Sequence, residues 1–135
     1  MPESLEIVES GRFKTLLEGL NSLDAGKIDR VVRFREILLD ENTRQNLTRL
    51  TTPEQFLEGH VLDCLELAKL GRLGKLMDLG SGGGVPGLLC AVMDNPNHWI
   101  LTESEGKKAE FLKAATEQLE LGSRVGVFAG RAEEY

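Results

Sequence analysis

The chain has 135 residues, 41% of them apolar and 28% charged, with a formal net charge of −6. That length and balance fit one globular domain of ordinary size, and no apolar run approaches the roughly 18–20 residues of a membrane span. The acidic surplus argues against a protein that grips nucleic acid over its whole surface, while a local basic face stays open.

The opening "MPESLEIVES" shows no signal-peptide pattern, and the chain reads as cytoplasmic. Residues 3–20 carry Leu5, Val8, Phe13, Leu16, Leu17 and Leu20 in an irregular helical pattern interrupted by Gly11. Residues 27–40 carry Ile28, Val31, Val32, Ile37, Leu38 and Leu39 at close to a 3.6-residue period. The polar stretch "DENTRQNLTRL" ends that pattern. Thr52-Pro53-Glu54-Gln55 is a helix start: Thr52 caps, Pro53 suits the first helical position and Gln55 completes a capping box. The helix it opens is expected to bury Leu57, Val61, Cys64, Leu65 and Ala68.

Near residue 70 the chain changes character, from a helical amino-terminal segment (1–70) to an alternating one (71–135). Lys75–Leu79 is a strand candidate, a helix is expected from Pro86 to about Met93, and His98–Thr102 is the next strand. Gly106–Leu121 reads as a helix with Ala109, Phe111, Leu112, Ala115 and Leu119 toward a sheet, and Val125–Phe128 is a third strand. This alternation is the signature of an α/β protein with a parallel sheet. Cys64 and Cys90 lie in unlike contexts, form no C-x-x-C pair and are expected as buried thiols. Trp99 is expected to pack in or beside the sheet.

The stretch "LMDLGSGGGVPG" at 76–87 invites a functional reading, because its glycines allow main chain to curve tightly against a ligand. A Walker-type phosphate loop needs G-K-[ST], and the loop has no lysine. Gly82 to Gly87 does satisfy G-x-G-x-x-G, and Glu103 follows Gly82 by 21 residues, so a dinucleotide loop is one reading. The other is an S-adenosylmethionine loop, in which the acid Asp78 precedes Gly80, Gly82 and Gly84 at the end of the first strand. Glu103 would then accept hydrogen bonds from ribose hydroxyls, each worth about 1.5–3 kcal/mol. The acid-before-glycine order favours S-adenosylmethionine, and a merely tight strand-to-helix turn is the bland alternative.

"NLTRL" at 46–50, "HVLDCL" at 60–65, "MDLGSGGGVPG" at 77–87, "TESEGKKAEFL" at 102–112 and "GRAEEY" at 130–135 occur together in order. In these segments the chain closely resembles the glucose-inhibited division protein B family over roughly residues 25–135. These are bacterial methyltransferases acting on N7 of a guanine in small-subunit (16S) ribosomal RNA. The resemblance implies amino-terminal helices followed by the first half of a class I methyltransferase (Rossmann-like) parallel sheet, with S-adenosylmethionine as cofactor. Gly80 and Val85 match family positions that touch the cofactor across the loop. Glu103 matches an acid where Asp is commoner, and Ala132 and Glu133 match a pair lying against the adenine. Asn46, His60 and Asp63 match polar positions near the cofactor cleft, while Cys64 replaces the serine usual beside that aspartate.

His60 and Asn46 also read plainly as a hydrogen-bonded helix residue and a loop residue. Lys107 and Lys108 read as a solvated helix face rather than as RNA contacts. Arg30, Arg33, Arg35, Arg44 and Arg49 are candidates for a basic stripe, among eight Lys and Arg matched by nine acids in residues 1–52. The resemblance stops after the third strand, so the arginine that the family places after its fourth strand has no counterpart. Strand one is then expected to be an edge, and the chain to be either a fragment or a short variant that pairs with itself along residues 75–79. No catalytic residue and no metal set is named. Two alternatives remain open, a non-catalytic binding or interaction module and a small dinucleotide-binding protein.

Overall fold

The computed structural model describes residues 3–93 and 97–135. Helices α1 (Glu3–Glu18) and α2 (Ala25–Glu41) open it. α1 continues through Gly11; among its described side chains Phe13 and Leu17 are buried, while Leu5 and Val8 of the expected apolar face are exposed. Asp24 caps α2 by accepting the N–H of Lys27 at 2.9 Å. Ile28, Val31, Phe34 and Leu38 form its buried stripe, and Val32, Ile37 and Leu39 are only half-buried.

Arg35 is a correction to the expected basic stripe, being only 2% exposed. Its guanidinium lies 5.3 Å from the centre of the Phe13 ring and 6.0 Å from that of Phe56. Its Nη2 donates to the Thr51 carbonyl at 2.6 Å and to Glu9 at 3.3 Å. Arg44 is likewise engaged, by Asp40 and Glu41.

The capping box forms as expected: Thr52 Oγ1 accepts the Gln55 N–H, and Gln55 Oε1 accepts the Thr52 N–H. The helix it opens is not uniform. α3 (Pro53–Phe56) widens into a π-helical turn, Leu57–Val61, and tightens again as α4 (Leu62–Ala68). Such a turn inserts a residue and rotates the buried face. Phe56, Val61 and Cys64 are therefore buried, Leu57 and Leu65 are half-buried, and Ala68 is exposed, against expectation.

Strands β1 (Lys75–Leu79), β2 (His98–Glu103) and β3 (Val125–Ala129) form a parallel sheet in the order β1-β2-β3. Leu76 is level with Trp99, and Trp99 with Val125. α5 (Gly87–Val92) and α6 (Gly106–Gln118) connect them. α6 stops at Gln118 rather than Leu121, because Glu120 turns left-handed and the Leu121 N–H closes on the Thr116 carbonyl at 3.0 Å. A 3₁₀ turn, Ala132–Glu134, follows β3. This is the expected order of amino-terminal helices followed by half of a Rossmann-like sheet.

α2 packs on both α5 and α6, and α4 on α5. One apolar core runs from Phe13 and Leu17 through Leu88, Leu89 and Leu101 to Val125. Both cysteines are buried in it. Cys64 Sγ approaches the Pro86 carbonyl at 3.8 Å, and the same oxygen takes the Cys90 N–H at 2.8 Å. Trp99 is buried as expected. Buried Asn97 braces the entry to β1: its Oδ1 accepts the N–H groups of Leu73 and Gly74, and its Nδ2 donates to the Gly71 carbonyl.

β1 forms one edge of the sheet, as expected, and its apolar side chains meet solvent: Met77 is 41% and Leu79 66% exposed. Among the described residues no helix is long and apolar enough to cross a membrane.

Candidate functional site

β1 ends where its last residues carry Asp78 and the chain enters the glycine loop. Gly80, Gly82 and Gly84 have φ of 65°, 49° and 91°, a region that favours glycine. A side chain at Gly80 would meet nothing within 4 Å, so that face of the loop is open. On its other side the loop is tightly packed: a Cβ on Gly83 would stand 3.1 Å from Leu38 Cδ1 and 3.3 Å from Leu47 Cβ. The loop is thus wedged between sheet and helices on one side and free on the other.

Two carboxylates hold it. Glu103, at the end of β2 and 7% exposed, accepts the Gly82 N–H on Oε1 at 2.8 Å and the Glu105 N–H on Oε2 at 3.0 Å. Asp78 Oδ2 accepts the N–H of Gly87, the first residue of α5, at 3.2 Å. Burial raises the Asp78 carboxyl above its ordinary pKa. Hydrogen bonds from Gly87 and Ser81 act against that rise, and the neighbouring charge of Glu103 adds to it.

Ser81 and Thr102, which the motif reading passed over, complete the strut. Both hydroxyls donate to the Asp78 carbonyl at 3.1 Å, and the Ser81 N–H donates to the Thr102 carbonyl at 2.9 Å. Thr102 stands level with Leu79 in the sheet register, so a strand alignment is the signal that finds it.

The segment after β3 is brought to the same end of the sheet. The Gly130 N–H donates to the Glu103 carbonyl at 2.9 Å, and Ala132 and Glu133 follow in the 3₁₀ turn. Val85 is half-buried and packs against the core.

Asn46 is exposed next to Leu47, the residue lying on Gly83. His60 meets the segment that carries Asn46 from the π turn, with Nε2 3.0 Å from Thr48 Oγ1. Burial lowers the pKa of its imidazole. Thr48 Oγ1 also accepts the Leu50 N–H, and Asn42 Oδ1 accepts the N–H groups of Leu47 and Thr48. A Cβ on Gly59 would collide with Leu50, which seats the loop on the π turn. This network of Asn42, Thr48 and His60 was not foreseen. Asp63 is exposed and makes none of these contacts. Lys107 is exposed and Lys108 pairs with Glu105 at 3.3 Å.

A cavity of about 800 Å³ opens elsewhere, between α1, α2 and the residues before Pro53, lined by Glu6, Ile7, Arg35 and Glu36 among others. It contains none of the residues expected at the site.

Residues 27–135 match the GidB family, described as rRNA small subunit methyltransferase G. The chain is similar to the ribosomal RNA small subunit methyltransferase G of Fusobacterium nucleatum subsp. nucleatum, at 37% identity over 90% of this chain and 53% of the relative. The protein of that name from Xylella fastidiosa strain 9a5c is 39% identical over 82% of this chain and 54% of its own length. That from Brachyspira hyodysenteriae is 31% identical over 81% and 55%. The chain spans about half the length of the curated relatives it matches. With a glycine loop braced by acids from two adjacent parallel strands and this match across its sheet and most of its helices, the chain belongs to the GidB family.

Proposed function

We propose that the chain carries the cofactor-binding half of a ribosomal RNA methyltransferase. It would take S-adenosylmethionine on the glycine loop for methyl transfer to N7 of a guanine in small-subunit ribosomal RNA. The observation that carries this reading is the pair of carboxylates, Asp78 and Glu103, gathered around a loop whose Gly80 face is open. Such a donor set suits a cationic nucleoside with a ribose to be held. The relatives' name supplies the ribosomal RNA and the methyl transfer.

The bound cofactor supplies an electrophilic methyl group on a sulfonium sulfur. The chain's own task is to hold and orient. Asp78 and Glu103 would set negative charge around the cationic ligand, and the remaining lone pairs of Glu103 would accept ribose hydroxyls. Gly80, Gly82 and Gly84 would let main chain lie against the ligand, with Val85 as a further loop contact and Ala132 and Glu133 as the candidates for the adenine. Asn46, His60 and Asp63 are the substrate-side candidates. For His60 the bond to Thr48 supports a bracing role, keeping the segment with Asn46 beside the glycine loop. Guanine N7 is an exposed lone-pair acceptor with no proton to remove. The reading therefore assigns no general base and leaves alignment and exclusion of water as the main contributions.

Calorimetry with S-adenosylmethionine, S-adenosylhomocysteine and NAD tests this. Binding of the first two, lost in Asp78→Ala, supports the reading, and binding of NAD alone replaces it with the dinucleotide one. Methyl transfer to small ribosomal subunits, followed with labelled cofactor, separates turnover from a binding-only module.

The free β1 edge favours a second role, as an interaction piece. Pairing antiparallel with a second copy, centred on Met77, would use the unpaired edge of the strand and set Met77 beside Met77 and Lys75 beside Leu79. Light scattering tests this: a monomer at every concentration removes the self-pairing.

A further inference from the structure

We infer that Glu103 is the charge filter of the glycine loop. With Asp78, its carboxylate occupies backbone N–H groups that a pyrophosphate would need, so that the loop turns away phosphate-bearing nucleotides and admits a cationic one. The last clause rests on the S-adenosylmethionine reading, and the rejection of phosphates does not.

The glycine pattern alone fits a dinucleotide loop, in which N–H groups of the turn and the following helix hold the pyrophosphate. Here four of those donors are engaged. The Gly82 N–H goes to Glu103 at 2.8 Å and the Gly87 N–H to Asp78 at 3.2 Å. The Ser81 and Gly84 N–H groups go to the carbonyls of Thr102 and Ser81, at 2.9 and 2.7 Å. α5 itself has only six residues, too few to make its start a strong anion site.

Glu103 is fixed from both sides, because its second oxygen holds the Glu105 N–H at 3.0 Å. Swinging it away leaves two N–H groups without their acceptor. A phosphate brought to Gly82 would also meet a carboxylate at close range, where like charges repel strongly in partly buried surroundings. Lys108, the nearby cation that could soften this, is paired with Glu105.

The test compares Glu103→Gln with the unaltered chain, using calorimetry at low salt with S-adenosylmethionine, ADP and NAD as probes. Gln keeps an oxygen for the Gly82 N–H and removes the charge. The expected result is no measurable ADP or NAD binding by the unaltered chain, and a gain of about tenfold or more in the variant, with S-adenosylmethionine weakened. Glu103→Asp, which keeps the charge, should still reject ADP. If Glu103→Gln does not fold, Glu103→Ala removes the same charge and frees the Gly82 N–H, and should give the same gain.

A residue that only held ribose would act in the opposite sense, since its loss weakens every adenosine ligand alike. Parallel weakening of ADP and S-adenosylmethionine, or ADP binding to the unaltered chain as tightly as S-adenosylmethionine, overturns the filter. Failure of S-adenosylmethionine to bind the unaltered chain overturns the cofactor reading instead. The ADP comparison then still decides the filter, for it if affinity rises and against it if not.

Discussion

Asp78 Oδ2 accepts the backbone N–H of Gly87 at 3.2 Å, so the acid near the end of β1 is joined directly to the first residue of α5. Strand and helix are locked across the glycine loop, and the loop's path depends on both ends of that bond.

Asp78→Asn should keep this link, since Asn also offers an oxygen, while removing a partly buried charge. In the folded chain Asp78 holds its proton to higher pH than in the unfolded chain. Its contribution to stability is therefore greatest at low pH and is lost as pH rises through the carboxylate range. The variant should have a flatter pH dependence than the unaltered chain and be no less stable at pH 7, yet bind S-adenosylmethionine poorly. Urea unfolding at several pH values, with calorimetry alongside, checks both halves. Destabilisation at pH 7 together with intact binding would contradict them.

Gly87→Ala should be costly although Ala favours helices. The added methyl would collide with Leu101 Cδ2 and stand 2.9 Å from Asp78 Oδ2 and 3.0 Å from its Cβ. Overpacking of this kind costs about 1–3 kcal/mol, measurable as a lower urea midpoint. Gly11→Ala, at an open mid-helix site, should be neutral or stabilising by up to about 1 kcal/mol.

Arg35→Ala should destabilise the helical part by about 3 kcal/mol, because it strands the Thr51 carbonyl and Glu9 and uncovers Phe13 and Phe56. Arg35→Met keeps the aliphatic cover and should lose less. Equal midpoints for the two variants would show that the lost charge and hydrogen bonds, not the packing, decide the site.

Leu79→Lys should lessen any self-association without lowering stability, since the side chain is already 66% exposed on an edge strand. Light scattering over a concentration series reads this. Unchanged mass, where the unaltered chain associates, would move the contact away from β1.

The strand–helix–strand order was legible because short apolar runs alternate with punctuating glycines, and the Thr52–Gln55 box because its spacing is local. The two acids of the site were legible as strand ends, but what they hold was not. Contact between Glu103 and Gly82 depends on β1 and β2 lying side by side, a pairing that spacing along the chain does not reveal. Arg35 is illegible for the same reason: its helical position lies on the buried stripe, its charge argues for the surface, and only the tertiary fold brings Phe13, Phe56 and Thr51 around it. The burial of Leu57, Leu65 and Ala68 was misjudged because a π turn breaks the 3.6-residue count. Thr48 and His60 could not be paired without knowing that Leu50 sits on Gly59.

The shared carbonyl of Pro86 gives the protein a built-in clock. The Cys64 thiol and the Cys90 N–H meet at that one oxygen, and the Cys90 sulfur and burial together raise the pKa of Cys64. Ellman's reagent can reach them only when α4 and α5 part, so the labelling rate should report how often the helical layer lifts from the sheet, and a ligand that tightens the loop should slow it.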